Sequence, residues 1–376
     1  MVLGGGVPTK LHAAPGQLVA DDARREVVVS SKAELIKKLA TVRMPTKFLL
    51  RQGSYGLLSL KNLIVPQGTT IASLHAEKPA VFEGMRIDGV RGLTVSSLMI
   101  RPPASGPIVG RYGAMITNSQ NIELDRLIFK GPNTKSWSNF NVALMLRSSS
   151  NIKVRRSYFS QFKNGIAILK LQHAVIELNE FENLQTDAIR GGGSNNLDIS
   201  SNVITGFYPK NGDHPDGIQL WSTRQRNIAS NISISDNLIV RGRGTAIQGV
   251  FVRDTKLRLP FKNLKIAGNL VIGGLYNGIT VLGADRVALE NNTVISRKDQ
   301  KSWIRLEYTT RARATGNSAQ SYVIERNRSK PRLANNQTSL ATNSDVSKSI
   351  SRWVRSKEAF ASYRGPVLQR IMKQGR

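Results

Sequence analysis

From Phe48 to about Asn336 the chain runs as short stretches of Ile, Leu and Val interleaved with single polar residues and broken by Gly, Asn and Ser. Alternation with a period of two is the mark of strands that bury one side. Two units recur. The first is a strand, a polar corner and a second strand: Leu197 to Ile204, Ile232 to Ile239, Leu264 to Val271 and Val287 to Val294, with degenerate copies at Ile122 to Leu127 and Val175 to Glu180. The second is a strand start of the form Gly-Ile or Ala-Ile, at Asn164, Asp187, Asp216, Thr245 and Asn277, in steps of 23, 29, 29 and 32 residues. A repeat of that length without helical periodicity predicts one turn of a parallel β-solenoid per copy, each turn stacked ~4.8 Å above the last. The corner asparagines Asn179, Asn202, Asn237, Asn269 and Asn292 would then form a stack, each amide serving the backbone and the next Asn.

Helical spacing occurs only at the ends. Ser31-Lys32-Ala33-Glu34 is a capping box, followed by Leu35, Leu39 and Val42 on one side of a helix that can cover the open end of a core. Residues 1–29 are Gly-, Ala- and Pro-rich and read as a leader. Ser347 to Val354 and Pro366 to Lys373 read as basic helices in a tail, residues 338–376, that either caps the far end, reaches for a polyanion or stays solvated. The expected fold is therefore all-β, a parallel solenoid over residues 30–337 between a capping helix and a basic, partly helical tail.

Charge adds a partner. The 376 residues carry 54 Lys and Arg against 25 Asp and Glu, a net charge of +29, which concentrates and steers anions. Acidic polysaccharide fits best. Only 6% of residues are aromatic, and they do not cluster with basic residues as nucleic-acid stacking platforms do. No apolar run reaches the ~18 residues of a membrane span. There is no cysteine, which removes disulfides, thiolate metal sites and a cysteine nucleophile. That suits an exported protein, so a secreted or periplasmic monomer is expected, although Met1 to Gly6 lacks the form of a signal peptide.

Candidate chemistry gathers in one place. The segment from Gly206 to His214 leaves the repeat and overhangs the strand Gly217-Ile218-Gln219-Leu220-Trp221. With Ile189, Ile218, Leu220 and Ile247 pointing inward, Arg190, Gln219 and Gln248 would form an outward column beside Trp221, a platform for a sugar ring. His214 has no copy in other turns and can move a proton near neutrality. Asp213 or Asp216 could orient it, Lys210, Arg190, Arg241 and Arg243 could hold a substrate carboxylate, and Tyr208 is a second proton donor. Asp216 and Asp187 also align with Asn164 and Asn277, which gives them the competing task of closing each turn. The carboxylates are a poor metal signature, so no cofactor is expected, with calcium left open.

This pattern of corner asparagines and long loops ahead of Gly-Ile strands resembles the right-handed parallel β-helices of the pectin-lyase-like superfamily, over most of the chain. Gly-Asp-His-Pro-Asp-Gly is also similar to the Asp-Pro-His-Asp stretch of alginate C5-epimerases, with Pro and His exchanged. That resemblance implies that His214 is the catalytic base beside a carboxylate-neutralising arginine. The residue set of polygalacturonase-type hydrolases is not seen. The reading is thus a polysaccharide lyase acting by β-elimination on a uronate polymer. Asp187 and Asp216, one turn apart, keep a hydrolase open. A C5-epimerase and a non-catalytic polysaccharide-binding protein are the further alternatives.

Overall fold

The computed structural model describes residues 25–105, 111–132, 137, 141–338 and 346–374. All paired strands are parallel except for an isolated bridge between Arg297 and Gln300, and they stack in three rows along one axis. The first face carries, among others, Val142–Arg147, Asn164–Leu169, Ile189–Gly192, Asp216–Trp221 and Gln248–Arg253. The second runs through Asn195–Ser200, Ser230–Ser235 and Phe261–Ala267, and the third through Glu180–Glu182, Val203–Thr205, Leu238–Val240 and Leu270–Ile272. Near the C-terminal end, Asn277–Glu290 and Trp303–Thr315 each span the first two faces without a break.

Inward side chains make one continuous core. Ile166, Ile189, Ile218 and Val250 follow one another on the first face, all with no exposed surface. On the third face Phe129, Phe159 and Phe181 stack nearly parallel, with centroids 4.7 and 4.9 Å apart, each contact adding ~0.5–1.5 kcal/mol to plain burial. The asparagine stack is present and longer than the repeat suggested. Asn179 donates to Asn202, Asn202 to Asn237, Asn237 to Asn269 and Asn269 to Asn292, at 2.9–3.0 Å, and the series continues through Asn317 to Asn336. Each side chain also serves the backbone: Asn202 Nδ2 donates to Ile176 O and its Oδ1 accepts from Asn179 N. A fully buried amide is thereby satisfied on every side.

The ends show two departures. Residues 25–29, expected in the leader, form a strand, Arg25–Val29, paired with Thr46–Leu50; Val27 and Val29 supply the apolar side that a mobile segment would lack. The rest of the leader lies outside the described residues. Helix α1, Lys32–Thr41, follows, with Ser31 Oγ accepting from Glu34 N while Glu34 Oε2 accepts from Ser30 N, one residue ahead of the expected reciprocal bond. Its Leu35 and Leu39 are buried in the main core. The C-terminal helices α2, Val346–Arg355, and α3, Pro366–Gln374, neither cap the far end nor stay solvated. They lie on the third face, where Ile350, Val354, Phe360, Val367 and Leu368 bury the outward residues Val203, Leu238, Val240, Leu270 and Ile272.

Candidate functional site

The turn that leads into the first face carries a stacked polar position on successive rungs: Asn164, Asp187, Asp216, Gln248 and Asn277. Asn164, Asp187 and Gln248 each meet the next rung. Asp187 N donates to Asn164 Oδ1 at 3.3 Å, Asp216 N to Asp187 Oδ1 at 3.0 Å, and Asn277 Nδ2 to Gln248 Oε1. Amides fill this position above and below, so an amide would close the turn equally well. Two rungs carry carboxylates instead, and they are adjacent.

Both carboxylates are buried, Asp187 2% exposed and Asp216 0%. Burial, only partly offset by the Arg190 guanidinium, pushes Asp187 up to about 6. Burial, followed by the charge of Asp187, holds Asp216 well above the usual carboxylate range. Asp216 Oδ2 accepts from Gln219 Nε2 at 2.6 Å, while its Oδ1 has no hydrogen-bond partner, an orphan that the protonated form relieves. Arg190 is fixed from below, with NH1 2.9 Å from Asp187 Oδ2 and 3.1 Å from Asn164 Oδ1, and its guanidinium lies 4.9 Å from the centroid of the Trp221 ring. Asp187 and Asp216 therefore act through Arg190 and Gln219, which stand between them and solvent.

The overhanging loop brings a second group. Asp213 Oδ2 accepts from Gln185 Nε2 at 2.8 Å and from Lys210 N at 2.9 Å, and Oδ1 lies 3.4 Å from Lys163 Nζ. These bonds and the Lys163 charge outweigh its partial burial, so its carboxyl sits below the usual range. Asp213 is a fixed, ionised strut of the loop. His214 and Lys210 are exposed on the same loop, and Tyr208, 45% exposed, meets Trp137 edge to face.

Four of the expected contacts are not made. Gln248 does not continue the Arg190–Gln219 column: Gln219 pairs with Phe251, and Gln248 stacks on Asp216. The true copy of Asp216-Gly217-Ile218 is Gln248-Gly249-Val250, and Thr245-Ala246-Ile247, which mimics it, belongs to the loop. Arg241 is paired with Asp299, and Arg243 and Tyr208 line a different cleft.

Sequence reasoning missed a row of cations. A groove of about 740 Å³ on the first face is lined by Arg147, Lys170, Arg190, Arg224 and Arg253, with Leu169, Trp221 and Phe251 as its apolar patches and no carboxylate among its described lining residues. The five cations come from five consecutive rungs, one each. Arg147 and Arg253 end their strands and Lys170 directly follows its own, while Arg224 lies three residues past Trp221 and Arg190 within its strand. Gly192 lets its rung lie close against the next: a Cβ there would lie 2.2 Å from Trp221 O. Among the described residues no three His, Cys, Asp or Glu side chains are grouped to hold a metal ion. No helix among them is long and apolar enough to cross a membrane.

The stacked parallel rungs, the asparagine ladder and the groove along one face define the fold as a right-handed parallel β-helix. Residues 83–247 match the family model described as a right handed beta helix region. Comparison with curated proteins gives no match. Among solved structures, PfbA, a surface adhesin of Streptococcus pneumoniae, is similar with a TM-score of 0.52 and 12% identity, over 85% of this chain and 81% of that one. A family 28 exopolygalacturonase of Yersinia enterocolitica gives 0.50 and 11%, over 83% and 78%. An alginate lyase from Paenibacillus gives 0.44 and 13%, over 82% and 97%. At these identities the fold is what is shared, and one fold carries many activities.

Proposed function

We propose that the chain is a polysaccharide lyase that binds an acidic, uronate-containing polysaccharide along the first face and cleaves it by β-elimination. The observation that carries this reading is the row of one cation per rung over five rungs, in a groove free of carboxylates. Consecutive rungs stand ~4.8 Å apart, a spacing similar to that of successive sugars in an extended chain, so the row suits a polymer with an acid on its sugars. Trp221 and Phe251 offer apolar faces to the rings.

In this reading Arg190 meets the substrate carboxylate. Its bonds to Asp187 and Asn164 and its packing on Trp221 fix it before substrate arrives, which is how a cation best stabilises developing charge. Neutralising the carboxylate acidifies the C5 proton. His214, exposed on the overhanging loop, takes that proton; the C4–O bond breaks, a C4=C5 double bond forms, and the leaving oxygen takes a proton from solvent. Asp213 holds the loop and its His214 in place, and Lys210 adds positive charge at the mouth. The product is an unsaturated uronide, and export to meet such a polymer is part of the proposal.

One observation favours hydrolysis instead: two carboxylates on adjacent rungs, both with raised pKa, resemble an acid–base pair. Their burial under Arg190 and Gln219 speaks against contact with a glycosidic oxygen. A screen of acidic polysaccharides separates the two. Ultraviolet absorbance of the unsaturated product rising with reducing ends is expected. Reducing ends without that absorbance would replace elimination by hydrolysis; binding without either signal would leave a C5-epimerase if the C5 hydrogen exchanges with solvent, and a non-catalytic carbohydrate-binding protein if it does not.

A further inference from the structure

Arg243, expected in the groove, lines a second cleft of about 460 Å³ between the C-terminal helices and the turns that follow Glu180–Glu182, Val203–Thr205 and Leu238–Val240. Arg297 and Arg370 enter the same cleft, and Val240, Ile350 and Ile371 supply an apolar edge. The single carboxylate in its lining, Glu182, is already engaged by Arg370 and by the Tyr158 hydroxyl at 2.6 Å. Arg241, beside the cleft, is likewise taken up by Asp299. Arg243 makes no ion pair among the described residues, and Asp299, the carboxylate that feels the charge of Arg297, is already paired with Arg241, so the cleft holds a surplus of positive charge.

The surplus is built in rather than incidental. Arg297 is held on a tight hairpin whose backbone bonds with Gln300 run in both directions, at 3.2 and 3.1 Å. Its side chain crosses Gly273, where φ is +68° and an added Cβ would lie 2.8 Å from Arg297 Nε. Any other residue at 273 would be strained and would displace the guanidinium. Like charges gathered in a partly enclosed cleft repel one another at reduced dielectric, and a bound anion relieves that repulsion while guanidinium groups recognise carboxylate or phosphate by paired hydrogen bonds.

We propose that this cleft binds a small organic polyanion, a compact molecule with at least two carboxylate or phosphate groups beside an apolar edge, and that its binding ties the C-terminal helices to the solenoid. Walls from both parts close on the same ligand, so occupancy stabilises their contact. The proposal stands apart from the reading of the groove: neither Arg243 nor Arg297 lines it.

The test is hydrogen exchange of the amides in residues 346–374 at constant ionic strength, with inorganic pyrophosphate and with trigalacturonate as probes. Saturable slowing by pyrophosphate assigns the cleft to phosphate-bearing ligands, and slowing by trigalacturonate to sugar acids. In the Arg243→Ala/Arg297→Ala double variant the concentration needed should rise at least tenfold. Without anion, the helices of that variant should exchange no faster than in the parent, because the charge repulsion is gone. No slowing by either probe, or equal slowing in the variant, overturns the proposal.

Discussion

Replacing Asp187 by Asn tests the idea that an amide would serve its turn better than the carboxylate that occupies it. Asn164 and Asn277 hold the same place on other rungs, so the amide fits, and its oxygen can still accept from Asp216 N. Burial raises the folded-state pKa of Asp187 from 3.8 to about 6. A carboxyl raised in the folded state contributes stability that is complete below pH 3.8 and is lost as pH climbs through 6, because the unfolded chain ionises first. At ~1.4 kcal/mol per pH unit the full loss is about 3 kcal/mol, of which about 2 kcal/mol falls between pH 4.5 and 8. The Asn variant lacks this loss. It also lowers the pKa of Asp216 by removing a neighbouring charge, which acts in the same direction. Arg190 keeps Asn164 and Trp221 as partners and is partly solvated, so a comparable penalty does not arise there. Denaturant midpoints of parent and variant at pH 4.5 and 8, at fixed salt, give the difference directly and cancel the effect of the overall charge. The variant should gain about 2 kcal/mol on the parent between the two pH values. A constant difference, or a gain by the parent, would refute the argument that Asp187 is a buried, partly protonated acid.

Other expectations follow from the same geometry. Arg190→Ala should abolish turnover and weaken polymer binding at least tenfold, whereas His214→Ala should abolish turnover with binding unchanged; loss of binding in the His214 variant would move that residue from chemistry to recognition. Replacing Arg147, Arg224 or Arg253 by Ala one at a time should each flatten the salt dependence of polymer affinity by a similar step, since each removes one ionic contact along the row; an unchanged slope would show that the polymer lies elsewhere. Asn202→Ala leaves Asn179 N, Asn179 Nδ2 and Ile176 O without their partner. At ~1–3 kcal/mol per buried unsatisfied group, chemical denaturation should show a loss of about 3 kcal/mol or more.

The fold was legible because its physics is local and repeated. An inward Ile, an outward polar residue and a buried corner Asn recur on each rung, and Asn179 to Asn292 announced their ladder before any coordinates did. Register was harder. Thr245-Ala246-Ile247 carries the right letters three residues early, and only the ladder partners of Asp216 and Val250 show that Gln248 begins the strand. That slip hid Phe251 and Arg253 as neighbours of Gln219 and Trp221. The buried acid pair was legible as a stack one turn apart, but not its isolation: nothing in the sequence says that Gln219 folds back on Asp216 or that Arg190 covers Asp187. Arg241 and Arg243 were misplaced because a loop's side of exit depends on the third face, on which the local pattern is silent.

The seat of the C-terminal helices has a consequence for how the molecule is completed. Glu180, buried in the middle of the solenoid, accepts from the first backbone amides of α3, Val367 N at 3.0 Å and Leu368 N at 2.9 Å, across 187 and 188 residues of chain. Rung-to-rung contacts form between segments a few tens of residues apart and can assemble in order, but this closure must wait for the last part of the chain to be made. The seat is a stripe of outward apolar residues drawn from several rungs. Until those helices are made and docked, Val203, Leu238, Val240, Leu270 and Ile272 stand open to water as one apolar stripe, so a chain shortened before Val346 would expose it.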